Sequence, residues 1–247
     1  MRFSLVQATE VDRMYSEAET LKNLKHKHIV KILNFLTLPN MQVAFVMEYL
    51  EGGELFHYVN EKKRLTEDEA REFFIQINEA VSYLHRQKII HCDLKLENLL
   101  LESKESKLLK VFFYLLTRFF NVCQVVDFGI SGICSNIETG LDVGSFDYMA
   151  PEFFTEAIKN LHPGVDIWAM GCILYAMVCG KLPFRSKDRK TKIAKITNAE
   201  YSFGEFDKEL SPEIKDLISK MLQPEAGKRI NVHEISDHPW MKNQKLV

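Results

Sequence analysis

The chain has 247 residues, 46% of them hydrophobic, with a formal net charge of −2. That is enough for a sizeable core in one domain, or in two lobes sharing a cleft. A balance so near neutral marks no large field for nucleic acid or membrane, and neither is expected as a partner. In chain order, residues 11–24 carry Val11, Met14, Ala18, Leu21 and Leu24 at helical spacing. Glu17 sits on that apolar stripe, where it is either a carboxylate that calls for a cationic partner, because an unpaired buried charge is costly, or a solvated glutamate on a helix edge. Residues 28–35 and 42–47 read as strands, with Pro39-Asn40 as the turn between them. Glu51-Gly52-Gly53 is a break, and a helix follows from Thr66, where Thr66 and Glu69 form a capping box. Ala70, Phe73, Phe74, Ile77, Val81 and Leu84 give that helix its apolar face. Residues 167–178 are apolar nearly all round, which predicts a buried helix. Ser211-Pro212 is an N-cap with proline at the first helical position, ahead of the stripe Ile214, Leu217, Ile218, Met221 and Leu222. A short strand-rich start and a helical bulk predict two unequal lobes, divided near residues 48–53.

Cys92, Cys123, Cys134, Cys172 and Cys179 are scattered, with no CxxC pair. They read as reduced thiols of a cytoplasmic protein, neither a disulfide framework nor a zinc site. No basic-then-apolar signal segment is read at the start. The most apolar run, residues 108–128, is interrupted by Lys110 and Arg118 and makes a poor membrane span.

Three short segments carry chemistry: His91-Cys92-Asp93-Leu94-Lys95-Leu96-Glu97-Asn98, then Asp127-Phe128-Gly129, then Ala150-Pro151-Glu152. Asp166, Trp168 and Gly171 follow in an Asp-x-Trp-x-x-Gly pattern. Each alone is weak, but their order is specific. From about residue 11 to Trp240 the chain resembles the eukaryotic Ser/Thr protein kinase domain, with one insert. His238-Pro239-Trp240 and residues 26–31 are similar to the calcium/calmodulin-dependent and AMP-activated kinase group.

The resemblance implies an α+β bilobal protein-kinase-like fold, with a truncated small antiparallel β lobe in residues 1–50 and a mainly α-helical large lobe in 51–247. It implies ATP and Mg²⁺ as cofactors and protein substrates as partners. Asp93 is suited to orient a substrate hydroxyl and accept its proton, and Lys95 to reach the transferring phosphate. Asn98 and Asp127 supply hard oxygen ligands of the kind Mg²⁺ prefers. Met47 and then Glu48-Tyr49-Leu50 resemble the gatekeeper and the hinge, whose backbone would bind adenine, and Leu100 would form the pocket floor. Glu54 and Glu97 match acidic positions that favour basic residues upstream of the acceptor. Glu152 with Arg229 resembles a structural ion pair, and Asp166 would hydrogen-bond the catalytic-loop backbone. His91 reads as a support for that loop.

Four features depart from the family. No Gly-x-Gly-x-x-Gly loop is present. The third-strand lysine that would pair with Glu17 is missing, and Arg2 is the only cation within reach of its place: either a substitute partner of different shape or simply a free chain end. Cys92 stands where regulated kinases have Arg, and Leu141 stands at the usual phosphoacceptor position, so receptor and acceptor are lost together; Thr139 is a displaced alternative. Finally, removing residues 111–124 restores the string Leu-Leu-Lys-Val-Val-Asp-Phe-Gly. A valine codon begins GT and a glutamine codon can end in AG, so this stretch is either a retained intron or a genuine insertion. If translated, it is expected to be an exposed, β-prone apolar segment. Three functions stay open: an ATP- and Mg²⁺-dependent Ser/Thr kinase impaired in this chain, a non-catalytic pseudokinase acting as a protein-binding module, or an incomplete gene product of an active kinase.

Overall fold

The computed structural model describes residues 19–38, 42–112, 123–124, 145–155 and 161–242. Of the first expected helix, 11–24, residues 19–24 are described; 19–22 are helical, and the helix gives way to a turn at Asn23, two residues short of the expected end. An antiparallel hairpin follows, β1 (Ile32–Leu38) against β2 (Gln42–Met47), in a register running from Ile32↔Met47 to Leu38↔Gln42. β2 has the expected bounds. β1 begins later than residue 28 because residues 28–30 find another partner. The Val111 N–H donates to the His28 carbonyl at 2.9 Å, and the Val30 N–H donates to the Val111 carbonyl at 3.0 Å. His28, only 3% exposed, also donates from Nδ1 to the Leu109 carbonyl at 2.8 Å. This parallel bridge fastens the strand-rich start to the helical body.

Past the break, β3 (Gly53–Glu54) leads directly into α1 (Leu55–Lys62). Helix α2 (Glu67–Arg86) starts at the expected capping box: the Glu69 N–H donates to Thr66 Oγ1 at 3.3 Å, and the Thr66 N–H donates back to Glu69 at 3.2 Å. Its apolar stripe is buried, as the spacing predicts. Four short strands then frame the middle of the chain: β4 (Ile89–Ile90), β5 (Leu99–Leu101), β6 (Leu109–Val111) and β7 (Cys123–Gln124). β3, β5 and β6 form one antiparallel sheet in that order, and β4 pairs with β7. Both ends of the 111–124 stretch are therefore sheet residues. Val111 is fully buried opposite Leu99, and Cys123–Gln124 pairs with Ile89–Ile90. The expectation of exposure fails at Val111, whose apolar side chain fills a place on the core face of the sheet.

Helix α3 (Gly164–Cys179) is buried at every position, matching its lack of a polar face. It ends at Gly180 in the left-handed region (φ 64°), the common helix stop. Around it lie α4 (Arg189–Thr197), capped by Asp188, and α5 (Pro212–Met221), capped by Ser211 with Pro212 at the first helical position. The short helices α6 (Val232–Asp237) and α7 (Pro239–Lys242) close the body. Glu67 ties three of these elements together: it accepts from the Ser211 N–H and Oγ, both at 2.7 Å, and from Trp240 Nε1 at 2.9 Å. The result is an α+β architecture, an antiparallel hairpin joined to a mainly helical lobe. No helix among the described residues is long and apolar enough to cross a membrane.

Candidate active site

The segment between β4 and β5 is held from below by one carboxylate. Asp166, in the first turn of α3 and 1% exposed, accepts the His91 N–H at Oδ2 and the Cys92 N–H at Oδ1, each at 2.9 Å. His85 Nε2 lies 2.8 Å from the same Oδ2. Cys92 has φ 65°, a strained conformation for a residue with a Cβ, and the two amide bonds to Asp166 fix the peptide groups around it. His91 is fully desolvated, which lowers its pKa and keeps the ring neutral. Its Nδ1 accepts from the Asp93 N–H at 3.2 Å, and its Nε2 donates to the Phe112 carbonyl at 3.1 Å. The ring is thus a support for the loop.

Above this base, Asp93, Lys95 and Asn98 come together. Asn98 Nδ2 donates to the Asp93 carbonyl at 2.7 Å and to Asp93 Oδ2 at 3.0 Å. Lys95 Nζ lies 3.4 Å from the same Oδ2. With its nitrogen used on Asp93, the Asn98 amide has Oδ1 left as the atom to meet a cation. A carboxylate, an ammonium and an amide are so gathered at one point, on a loop fixed to the buried helix.

The residues expected to form the hinge and adenine pocket are divided between the β1–β2 hairpin and the β3–β5–β6 sheet. Met47 ends β2 and packs against the core, and Leu100 pairs with Glu54 and Lys110. Glu48 accepts the Lys31 N–H and the Lys110 ammonium, each at 2.7 Å. Lys110 was not foreseen as a site residue. The signal was the strand period, since the alternation of β6 turns Lys110 away from the core and toward Glu48. Tyr49 is exposed, and the backbone of Leu50 has no hydrogen bond among the described residues. Arg2, Glu17, Asp127, Thr139 and Leu141 lie outside the described residues.

Glu152 and Arg229 form the expected pair, with both guanidinium nitrogens at 2.7 Å from the carboxylate. Arg229 also donates to the carbonyls of Gly164, Pro224 and Gln223, so all five of its N–H groups are used.

The protein kinase domain family matches residues 3–241. The chain belongs to the protein kinase family. Maternal embryonic leucine zipper kinase of Xenopus tropicalis is 37% identical over 238 residues, covering 94% of this chain and 33% of that protein. The SNF1-related protein kinase catalytic subunit alpha KIN12 of Arabidopsis thaliana is 38% identical over 234 residues, covering 94% of this chain and 42% of that protein. These relatives bear out the resemblance to the calcium/calmodulin-dependent and AMP-activated group. This kinase chain thus spans well under half the length of the curated relatives it matches. Among solved structures, Rad53 1-466 in complex with AMP-PNP superposes with a TM-score of 0.75 at 28% identity, over 93% of this chain and 55% of that one. The kinase fold is therefore the fold of this chain.

Proposed function

We propose that this chain catalyses transfer of the γ-phosphoryl group of ATP to Ser or Thr hydroxyls of proteins. The observation that carries the reading is the convergence of Asp93, Lys95 and Asn98 within hydrogen-bond and ion-pair reach, on a loop pinned by Asp166. In the reaction the substrate hydroxyl oxygen bonds to the γ-phosphorus, the bond to the β–γ bridging oxygen breaks, ADP leaves, and Asp93 takes the hydroxyl proton. Lys95, 9% exposed and 3.4 Å from Asp93, would balance charge on the moving phosphoryl group. A magnesium ion held by Asn98 and Asp127 would neutralise the phosphate oxygens. The Leu50 backbone, free among the described residues, suits adenine binding, with Met47 and Leu100 as apolar walls. Removing the base, Asp93→Asn, is expected to lower the rate of labelled-phosphate transfer to a Ser peptide by about 100-fold or more. An unchanged rate would refute the assignment.

We also read this chain as slow. β6 ends at Val111, and the Phe112 N–H just beyond it donates to the Asn98 carbonyl at 2.8 Å. In the family string, aspartate comes within two residues of such a strand valine, whereas here residues 112–126 intervene before Asp127. Deleting residues 111–124 moves Val125 to follow Lys110, a swap that keeps side-chain volume. The same reading divides the chain into a partial small lobe, 1–50, and a large lobe, 51–247, with Glu17 and Arg2 beside the nucleotide. Reduced buried thiols suit a cytoplasmic location: burial raises the pKa of Cys172, and of Cys179 to about 11.

Basic residues upstream of the acceptor fit Glu54 and Glu97. Glu97 Oε2 is buried with no hydrogen-bond partner among the described residues, and burial raises its pKa. A substrate cation placed there would supply the missing partner. Glu54 lies 3.7 Å from His57 and is partly exposed.

A further inference from the structure

The overall charge of −2 conceals a local concentration of the opposite sign. From Lys181 to Lys195 the chain carries seven cations and one carboxylate, Asp188. That carboxylate is occupied, because it caps α4 by accepting the Thr191 N–H at 2.8 Å and the Thr191 hydroxyl at 2.7 Å. The segment forms one wall of a groove of about 1100 Å³ between α1, the end of α3 and α4. Five cations line it: Lys181, Arg185, Lys187, Lys192 and Lys195. Two carboxylates, Asp147 and Glu200, share the lining; among the described residues Lys192 pairs with Asp147, and Lys181 lies 3.8 Å from Glu205. The Lys195 ammonium reaches the Arg185 carbonyl at 3.4 Å, and the Arg185 and Lys187 side chains form no ion pair among the described residues. Phe56, Val59 and Tyr175 give the groove an apolar floor, and Leu96 and Tyr148 bring it to the edge of the catalytic loop.

We propose that this groove receives an acidic peptide segment of the protein substrate, carboxylates facing Arg185 and Lys187 and apolar side chains between them on the floor. The word substrate rests on the phosphotransfer reading above; the groove's preference for an acidic peptide does not. Charge complementarity sets the sign of the occupant, and an apolar floor beside the cations favours a peptide, which carries apolar side chains as well as carboxylates, over a purely anionic surface. With Glu54 and Glu97, the chain then selects a bipolar sequence, basic before the acceptor and acidic on the side that reaches the groove.

The test is fluorescence anisotropy of the whole chain with a labelled peptide of alternating Glu and Leu ending in a Ser acceptor, and with its Gln counterpart. The Glu peptide is expected to bind on the order of tenfold more tightly than the Gln peptide. Arg185→Glu with Lys187→Glu is expected to erase that difference without moving the thermal unfolding midpoint, since both positions are exposed. Equal binding of the two peptides, or an unaffected double variant, overturns the proposal. So does equally tight, equally charge-sensitive binding of a single-stranded RNA or of phosphatidylserine vesicles, which would make the patch a general polyanion site. Phosphate transfer to the same peptides separates the two readings. Acidic-selective binding without transfer keeps the groove and refutes the catalytic reading. Transfer without acidic preference keeps the catalytic reading and refutes the groove.

Discussion

Glu97 shows what a single side chain gives up to be ready for a substrate. A carboxylate oxygen buried without a partner among the described residues costs stability, and burial raises the pKa of its carboxyl. Glu97→Gln removes the charge and keeps the shape. The variant is expected to fold at least as stably and to lose its preference for peptides with Arg upstream of the acceptor, read as a fall in kcat/KM for the Arg peptide toward that of an Ala peptide. A retained preference would move the recognition elsewhere. Asp93, Lys95, Asn98 and Asp166 were legible in the sequence because each belongs to a short pattern whose chemistry fixes its neighbours. His85 and Lys110 were not, because their partners, Asp166 and Glu48, lie far along the chain and are brought near only by folding.

At the scale of elements, α3 is the piece on which the site stands, and its end is tightly constrained. Gly180 has φ 64°, and a Cβ built there would sit 2.0 Å from the Lys63 carbonyl oxygen. Gly180→Ala is expected to destabilise the fold by about 2–4 kcal/mol, from left-handed strain plus displacement of that backbone. Denaturant unfolding reads this directly, and a change below about 0.5 kcal/mol would contradict the packing described here. The helices α2, α3 and α5 could be read from sequence, since caps and apolar periodicity are local signals. β1 was misjudged at its start because Ile29 bridges Val111, a contact between distant segments that no local pattern announces. The burial of Val111 was missed for the same reason, its pairing with Leu99 of β5 being tertiary.

The molecule as a whole is joined across its two parts by His28. Burial lowers its pKa from 6.5 and keeps the ring neutral, with Glu79 opposing that effect and Lys27 and Lys110 reinforcing it. The unfolded chain takes up the proton first as pH falls. Stability from this group is therefore complete above about pH 6.5 and declines below it. His91, lowered in the same way, adds to the slope. Unfolding free energy measured at pH 7.5 and at pH 5.5 should drop at the lower value, and His28→Gln should flatten the drop; a rise in stability on acidification would contradict it. Net charge was the coarse quantity that hid the basic groove, although the run from Lys181 to Lys195 was in plain view in the sequence. The central claim is that Asp93, Lys95 and Asn98 form a working phosphotransfer centre hampered by the segment before Asp127. It is tested most directly by single-turnover transfer of labelled γ-phosphate to a Ser peptide, using the chain as it stands, the chain lacking residues 111–124, and that shortened chain carrying Asp93→Asn. Slow transfer, faster transfer on shortening, and loss with Asp93→Asn is the predicted result; no transfer by either chain, or transfer undiminished by Asp93→Asn, would contradict it.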